Sequence, residues 1–175
     1  LRGEMAPARA AMERAQAPSP GLPAREASHL AMYAKLLAGQ GAAALAAARE
    51  HLKDWPRDAM VLSPCTSVFG LIGFSGRAGR EREQVELLDA LATHYGSDWW
   101  FNAQHAFALL EVGEHDAALP KIEGAMAAQP RNAHGAHIRA HLFYEMGEGA
   151  ASYDYLRGWM PDYPRDGQLH CHISW

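Results

Sequence analysis

Apolar side chains recur at intervals of three and four along most of this chain. Trp100, Ala103, Ala106, Phe107 and Leu110 form one such stripe, the spacing that lays residues along a single face of a helix. Ala118, Ile122, Ala125 and Met126 form the next. Alternation of period two survives nowhere, so the pattern predicts an all-α protein. Helices are expected over residues 4–16, Ala24–Ala38, Gly41–Lys53, Ala59–Phe74 and Glu81–His94. A further helix opens with Trp99-Trp100-Phe101 and is closed by Gly113, placed as a left-handed C-cap. Two more are expected from about Asn132 to Met146 and from about Gly149 to Trp159, with a last one beginning near Asp166. Pro18-Ser19-Pro20-Gly21 reads as a turn, and the glycine-rich run Gly73–Gly79 as a long inter-helix turn. Pro120 falls in the second turn of its helix, where it removes a backbone hydrogen bond. The expectation there is a late start or a kink.

The punctuation between these stripes is itself repeated. Trp55-Pro56-Arg57-Asp58-Ala59, Gln129-Pro130-Arg131-Asn132-Ala133 and Tyr163-Pro164-Arg165-Asp166-Gly167 are variants of one phrase. Each reads as the end of a helix, a proline that cannot continue it, and an Asp or Asn able to N-cap the next. The last two prolines are 34 residues apart, and a shift of 34 aligns Ala106 with Ala140, Glu111 with Glu145 and Gly113 with Gly147. A 34-residue period of helical hairpins is the tetratricopeptide signature. The expected fold is therefore a right-handed superhelix of antiparallel hairpins, a tetratricopeptide-like α-solenoid. One array would fill residues 1–175, in units of roughly 24–57, 58–97, 98–131 and 132–165. Residues 4–16 would end a preceding unit, and 166–175 would begin a partial one. Because the sequence starts with Leu1 and stops at Trp175 within an apolar pattern, a fragment of a longer array is expected.

Stacking of such hairpins exposes the first helix of each unit on an inner surface. His137, His141 and Glu145 occupy the places of their helix that usually point inward, and Phe107 and Glu111 hold the corresponding places one unit earlier. His137 and His141 are about 40° apart around the helix, and His134 is within about 60° of either. His172 enters from the next unit. Five of the ten histidines fall between His134 and His172. Helical i,i+4 imidazoles can chelate a metal, and a third ligand from a neighbour would leave one position open. The same rings can grip a peptide backbone or carboxylate, move protons, bind an anionic partner when protonated, or simply pack. His170 sits about 200° from His172 and is left out of the set.

The run His137-Ile138-Arg139-Ala140-His141, followed by Glu145-Met146, then Cys171-His172 and Trp175, resembles the tetratricopeptide repeat protein 38 family. The resemblance extends from about Glu26 to the end of the chain. In that family the stretch after the Trp usually opens with another His, which this chain ends too soon to include. What the resemblance implies is a tetratricopeptide-like superhelix; it adds architecture rather than an activity.

Composition narrows the partners. With 16 Lys+Arg against 20 Asp+Glu, a formal net charge of −4 and a pI near 6.2, the chain lacks the basic footprint of a nucleic-acid binder. Cys65 and Cys171 lack any paired or finger-like spacing, which fits a reducing compartment; Cys171 is expected to be a buried small hydrophobe. The apolar stretch Val61–Phe74 is too short and too broken to cross a bilayer. The segment Leu1-Arg2-Gly3-Glu4 has no signal-peptide character, and a cytoplasmic location is expected. Gly73–Gly79 lacks the Lys-Ser/Thr of a phosphate loop, and Ser75 lacks the spacing of a nucleophile elbow. The reading adopted is a protein-interaction scaffold that holds a peptide or protein segment against His134, His137, His141, Glu145, His172, Phe107 and Glu111. No cofactor is required. The alternative is a metal-assisted or general acid/base enzyme with His137, His141 and His172 as ligands of a divalent ion.

Overall fold

The computed structural model describes residues 4–17 and 21–174. The proposed turn at Pro18–Pro20, and the Trp175 that takes part in the family resemblance, lie outside them. Among the described residues every regular element is helical. The chain divides into two compact units, one ending at Gln84 and one beginning at Val85.

The first unit contains α1 (Met5–Gln16), α2 (Ala24–Leu37), α3 (Gly41–Asp54) and the short α4 (Ala59–Leu62). Gly39, at φ +73°, closes α2 and reverses the chain into α3. The two helices pack on each other, and α3 on α4; Met32, Ala44, Leu45, Ala48 and Leu52 are buried there, as are Val61, Leu62, Cys65 and Ile72 further along the chain. Alanines on α3 allow close helix approach, and the larger aliphatic side chains fill the space left over.

Here the structure corrects the sequence reading. Ala59–Phe74 is not one helix: after α4 the chain forms a 3-10 turn at Ser63–Cys65, a loop, and a second 3-10 turn at Gly73–Ser75. Pro64 lies two residues beyond α4, Ser67 adopts a positive φ of 71°, and the Leu71 N–H donates to Pro64 O across the loop. Backbone packs so closely over Gly70 and Gly73 that a β-carbon on either would collide with carbonyl oxygens. Apolar residues that suggested a helix are used instead by a compact loop, in which Ile72 is buried while Phe69 and Phe74 are exposed.

From Arg80, α5 (Arg80–Tyr95) leads into the second unit, which holds α6 (Trp99–Glu111), α7 (His115–Ala128), α8 (Ala133–Glu145), α9 (Gly149–Trp159) and α10 (His170–Ser174). Helix α6 is buried on nearly all sides, from Phe101 to Leu110, because it packs against both α7 and α8. Asp98 caps it by accepting from Phe101 N–H at 3.0 Å, and Gly113 (φ +77°) ends it while the Glu114 N–H bonds back to Leu109 O. Of the aromatic trio at its start, Phe101 is buried and stacks on Tyr95 at 4.2 Å.

Of the two outcomes expected at Pro120, the late start does not occur: helix α7 starts at His115 and runs through the proline. The first turn is secured by Glu114 O, which accepts from the N–H groups of Ala117 and Ala118 before the proline is reached. Asn132 precedes α8 but makes no side-chain capping bond. And α10 begins at His170 rather than near Asp166, because the chain turns twice first: Gly167 N–H donates to Pro164 O, then His170 N–H to Gly167 O. Cys171 is exposed, contrary to the burial expected of it. Ile173 is the residue α10 buries, and Cys171, two positions away, points about 200° around the helix from it.

Candidate functional site

Helix α8 has a packed side and an open one. The packed side buries Gly135, Ala136, Ile138, Ala140 and Leu142. At Gly135 the neighbouring helix comes so close that a β-carbon would lie 2.6 Å from Met126 Sδ. Arg139 lies within the same arc: its Nε donates to Glu123 on α7 at 2.7 Å and its guanidinium lies over the Tyr155 ring of α9. The open side presents His134, His137, His141 and Glu145.

The convergence of His137, His141 and His172 that the metal-site alternative requires is present within this unit. His137 Nε2 and His172 Nε2 are 2.8 Å apart, so the proton of one ring donates to the bare nitrogen of the other. His137 and His141 meet edge to face with ring centres 4.5 Å apart, and His141 stacks on His172 at 6.2 Å. One nitrogen from each of the three rings lies within 4.8 Å of the others. His134 stacks on His137 at 6.0 Å, and Phe107 of α6 packs edgewise on His134 at 5.8 Å and against His137 at 6.3 Å. The buried Phe107 thus forms an apolar floor, while His141, Glu145 and His172 are exposed above it. Glu111 is exposed at the last residue of α6, the place Glu145 holds in α8. His170 stands apart, stacked on Tyr163.

Electrostatics follow from this crowding. Burial, followed by the like charges that His141, His172 and His134 would carry, pushes His137 down to about 3. Burial and His172 also lower His141, against an opposing pull from Glu145, and burial lowers His134. These three imidazoles are therefore neutral at pH 7, each with one N–H and one bare nitrogen, although both nitrogens of His137 are turned to His172 or to the interior. His137 Nδ1 is buried with no hydrogen-bond partner.

Sequence reasoning missed a second polar cluster, in the first unit. Asp58 was legible as an N-cap, and its carboxylate does accept from Val61 N–H at 3.3 Å. Yet the same side chain is almost fully buried and also receives Arg25 Nη2 at 2.8 Å, His51 Nε2 at 3.2 Å and His29 Nδ1 at 3.3 Å. With its proton on Nε2, His51 accepts from Ser28 Oγ through Nδ1 at 3.1 Å. Burial alone would raise the Asp58 pKa, but hydrogen bonds from His29, Val61 and His51 hold it below the usual value. The carboxylate's acceptor sites are taken up by protein donors, so the cluster pins α2, α3 and α4 together. Cys65 is equally unsuited to chemistry: burial pushes its thiol up to about 12, and it is protonated.

The first unit also bears an open groove of about 1010 Å³ beside Tyr33, Leu45, Met60, Leu71 and the exposed rings of Phe69 and Phe74. No sequence period marked it, because it is built by the irregular loop after α4. Among the described residues no helix is long and apolar enough to cross a membrane.

Comparison with known proteins identifies the architecture. A thermophilic tetratricopeptide-repeat protein of Thermus thermophilus superposes with a TM-score of 0.74, at 20% identity over 98% of this chain and 90% of that one. MamA from AMB-1 gives a TM-score of 0.59 at 16% identity, over 90% of this chain and 88% of its own. MamA from MSR-1 gives 0.58 at 17%, over 90% and 86%. No protein-family model and no curated protein matches the sequence. At these identities the likeness establishes the fold: all-α, of the tetratricopeptide-like α-solenoid class expected from the 34-residue period.

Proposed function

We propose that this chain is a protein-interaction module that receives a peptide or protein segment along the face shared by α6 and α8. One observation carries the reading: neutral, partly exposed imidazoles stand beside the buried ring of Phe107 and one helical turn from the exposed Glu145, on helices whose other sides are occupied by packing. A neutral imidazole can both donate to a peptide carbonyl and accept from a peptide N–H. The exposed Glu145 favours a basic side chain in the bound segment, and the net charge of −4 acts in the same direction. The tetratricopeptide fold of the neighbours supports binding as the role, since stacked hairpins present leading helices to a ligand.

Within that fold, the set His137, His141, Glu145-Met146 and Cys171-His172 supports membership of the tetratricopeptide repeat protein 38 family. This is a reading of residues, and it brings no activity with it.

The test is a selection from a random peptide library on the full chain, followed by calorimetric titration of the winning peptide. Replacing both His141 and Glu145 by Ala should weaken binding about tenfold or more, a loss of about 1.4 kcal/mol. Both side chains are exposed, so the fold should survive the change. An affinity that stays within twofold of the parent would remove this face from the account.

A further inference from the structure

We propose that His137, His141 and His172 form a binding site for one divalent transition-metal ion of the zinc class. This goes beyond peptide binding and holds whether or not a segment lies on the same face.

The geometry comes first. A tetrahedral ion with metal–nitrogen bonds of about 2.0–2.1 Å sets its ligand nitrogens roughly 3.3 Å apart. In this protein His137 Nε2 and His172 Nε2 are 2.8 Å apart, and a nitrogen from each of the three rings lies within 4.8 Å of the others. The measured pair is closer than that value and no pair exceeds it by more than about 1.5 Å, an adjustment within reach of side-chain rotation at the exposed His141 and His172. His137 and His141 are four residues apart on α8, the helical spacing that points two imidazoles at one ion, and His172 closes the set from α10.

The donor chemistry selects the metal. Three imidazoles, with neither thiolate nor carboxylate among them, suit zinc, copper, nickel or iron(II) and disfavour magnesium and calcium, which take oxygen ligands. Three ligands also leave one coordination position for water or for a group brought by another molecule.

The surroundings set the strength. Phe107 and His134 wall the inner side of His137. However, the buried His137 Nδ1 has no carboxylate or carbonyl to hold it. Ligating histidines ordinarily have such a partner, and its loss weakens metal binding about 10–100-fold. The site is thus expected to be reversible and removable by a chelator. An ion here would tie α10, a five-residue helix anchored by Ile173, to α8.

The experiment uses the full chain without any affinity tag, titrated with cobalt(II) alone and then with zinc(II) alone. The expected result is one cobalt ion per chain, with the visible d–d absorption of a tetrahedral nitrogen site, displaced by zinc. Zinc should also raise the Tm of the parent protein. His141→Ala and His172→Ala, both at exposed positions, should each lower the affinity at least tenfold and abolish the Tm rise, with helical circular dichroism unchanged. Absence of saturable uptake by the parent would overturn the proposal. So would stoichiometric uptake that both variants retain. Peptide binding measured in a chelator separates this outcome from the scaffold reading.

Discussion

At the scale of single residues, a buried charge is tolerable only where donors replace its lost water. Asp58 meets that condition with three side-chain donors from two helices and a backbone N–H. Asp58→Asn would keep the shape but set an NH2 group against Arg25, His29 or His51. It should cost about 1–3 kcal/mol at pH 7, measured by urea unfolding. The pKa of Asp58 is lowered by folding. Its contribution is therefore complete above the unfolded value of about 4 and is lost as pH falls through the folded pKa. The gap between parent and variant should narrow below about pH 4; a gap of constant size down to pH 2 would contradict this assignment. The capping role of Asp58 was readable from Trp55-Pro56-Arg57-Asp58. Its histidine partners were not, because His29 and His51 share no period with each other and meet only through the packing of α2 on α3.

At the scale of elements, the helices that were read correctly are those whose ends carry chemistry as well as period. Gly113 combines the end of an apolar stripe with a left-handed conformation, and α6 stops there. Gly113→Ala should therefore destabilise the protein by about 1 kcal/mol through backbone strain, since no neighbour lies near the added methyl group. Gly124→Ala, in the interior of α7 and equally open, should stabilise it by up to about 1 kcal/mol. Thermal melts of the two variants should shift in opposite directions, and a shared direction would refute the cap. The elements misread were Ala59–Phe74 and the start of α10. In the first, apolar content imitated a helix while Pro64, Gly70 and Gly73 served a tight loop. In the second, Pro164 and Gly167 used the expected first helical turn for two reversals. Period alone cannot separate a buried loop from a buried helix when both are apolar.

At the scale of the molecule, the repeat length pointed to the tetratricopeptide architecture, which its structural neighbours share. The same register put His137, His141 and Glu145 on one side of α8 and brought His172 to them. The register placed Phe107 beside them as well; what it could not reveal is that Phe107 is also a core residue, its ring buried as the floor of the histidine cluster. Nor could it reveal the groove near Phe69 and Phe74, which depends on a loop outside the repeat pattern. The two surfaces compete as sites for a bound segment, and they lie in different compact units. Nitrogen-15 chemical-shift mapping of the full chain with the library-selected peptide distinguishes them in one titration. Binding at the α6–α8 face should concentrate the shifts at Phe107, Glu111, His134, His137, His141 and Glu145. Shifts confined to residues around Phe69 and Phe74, with the α8 amides unmoved, would contradict it.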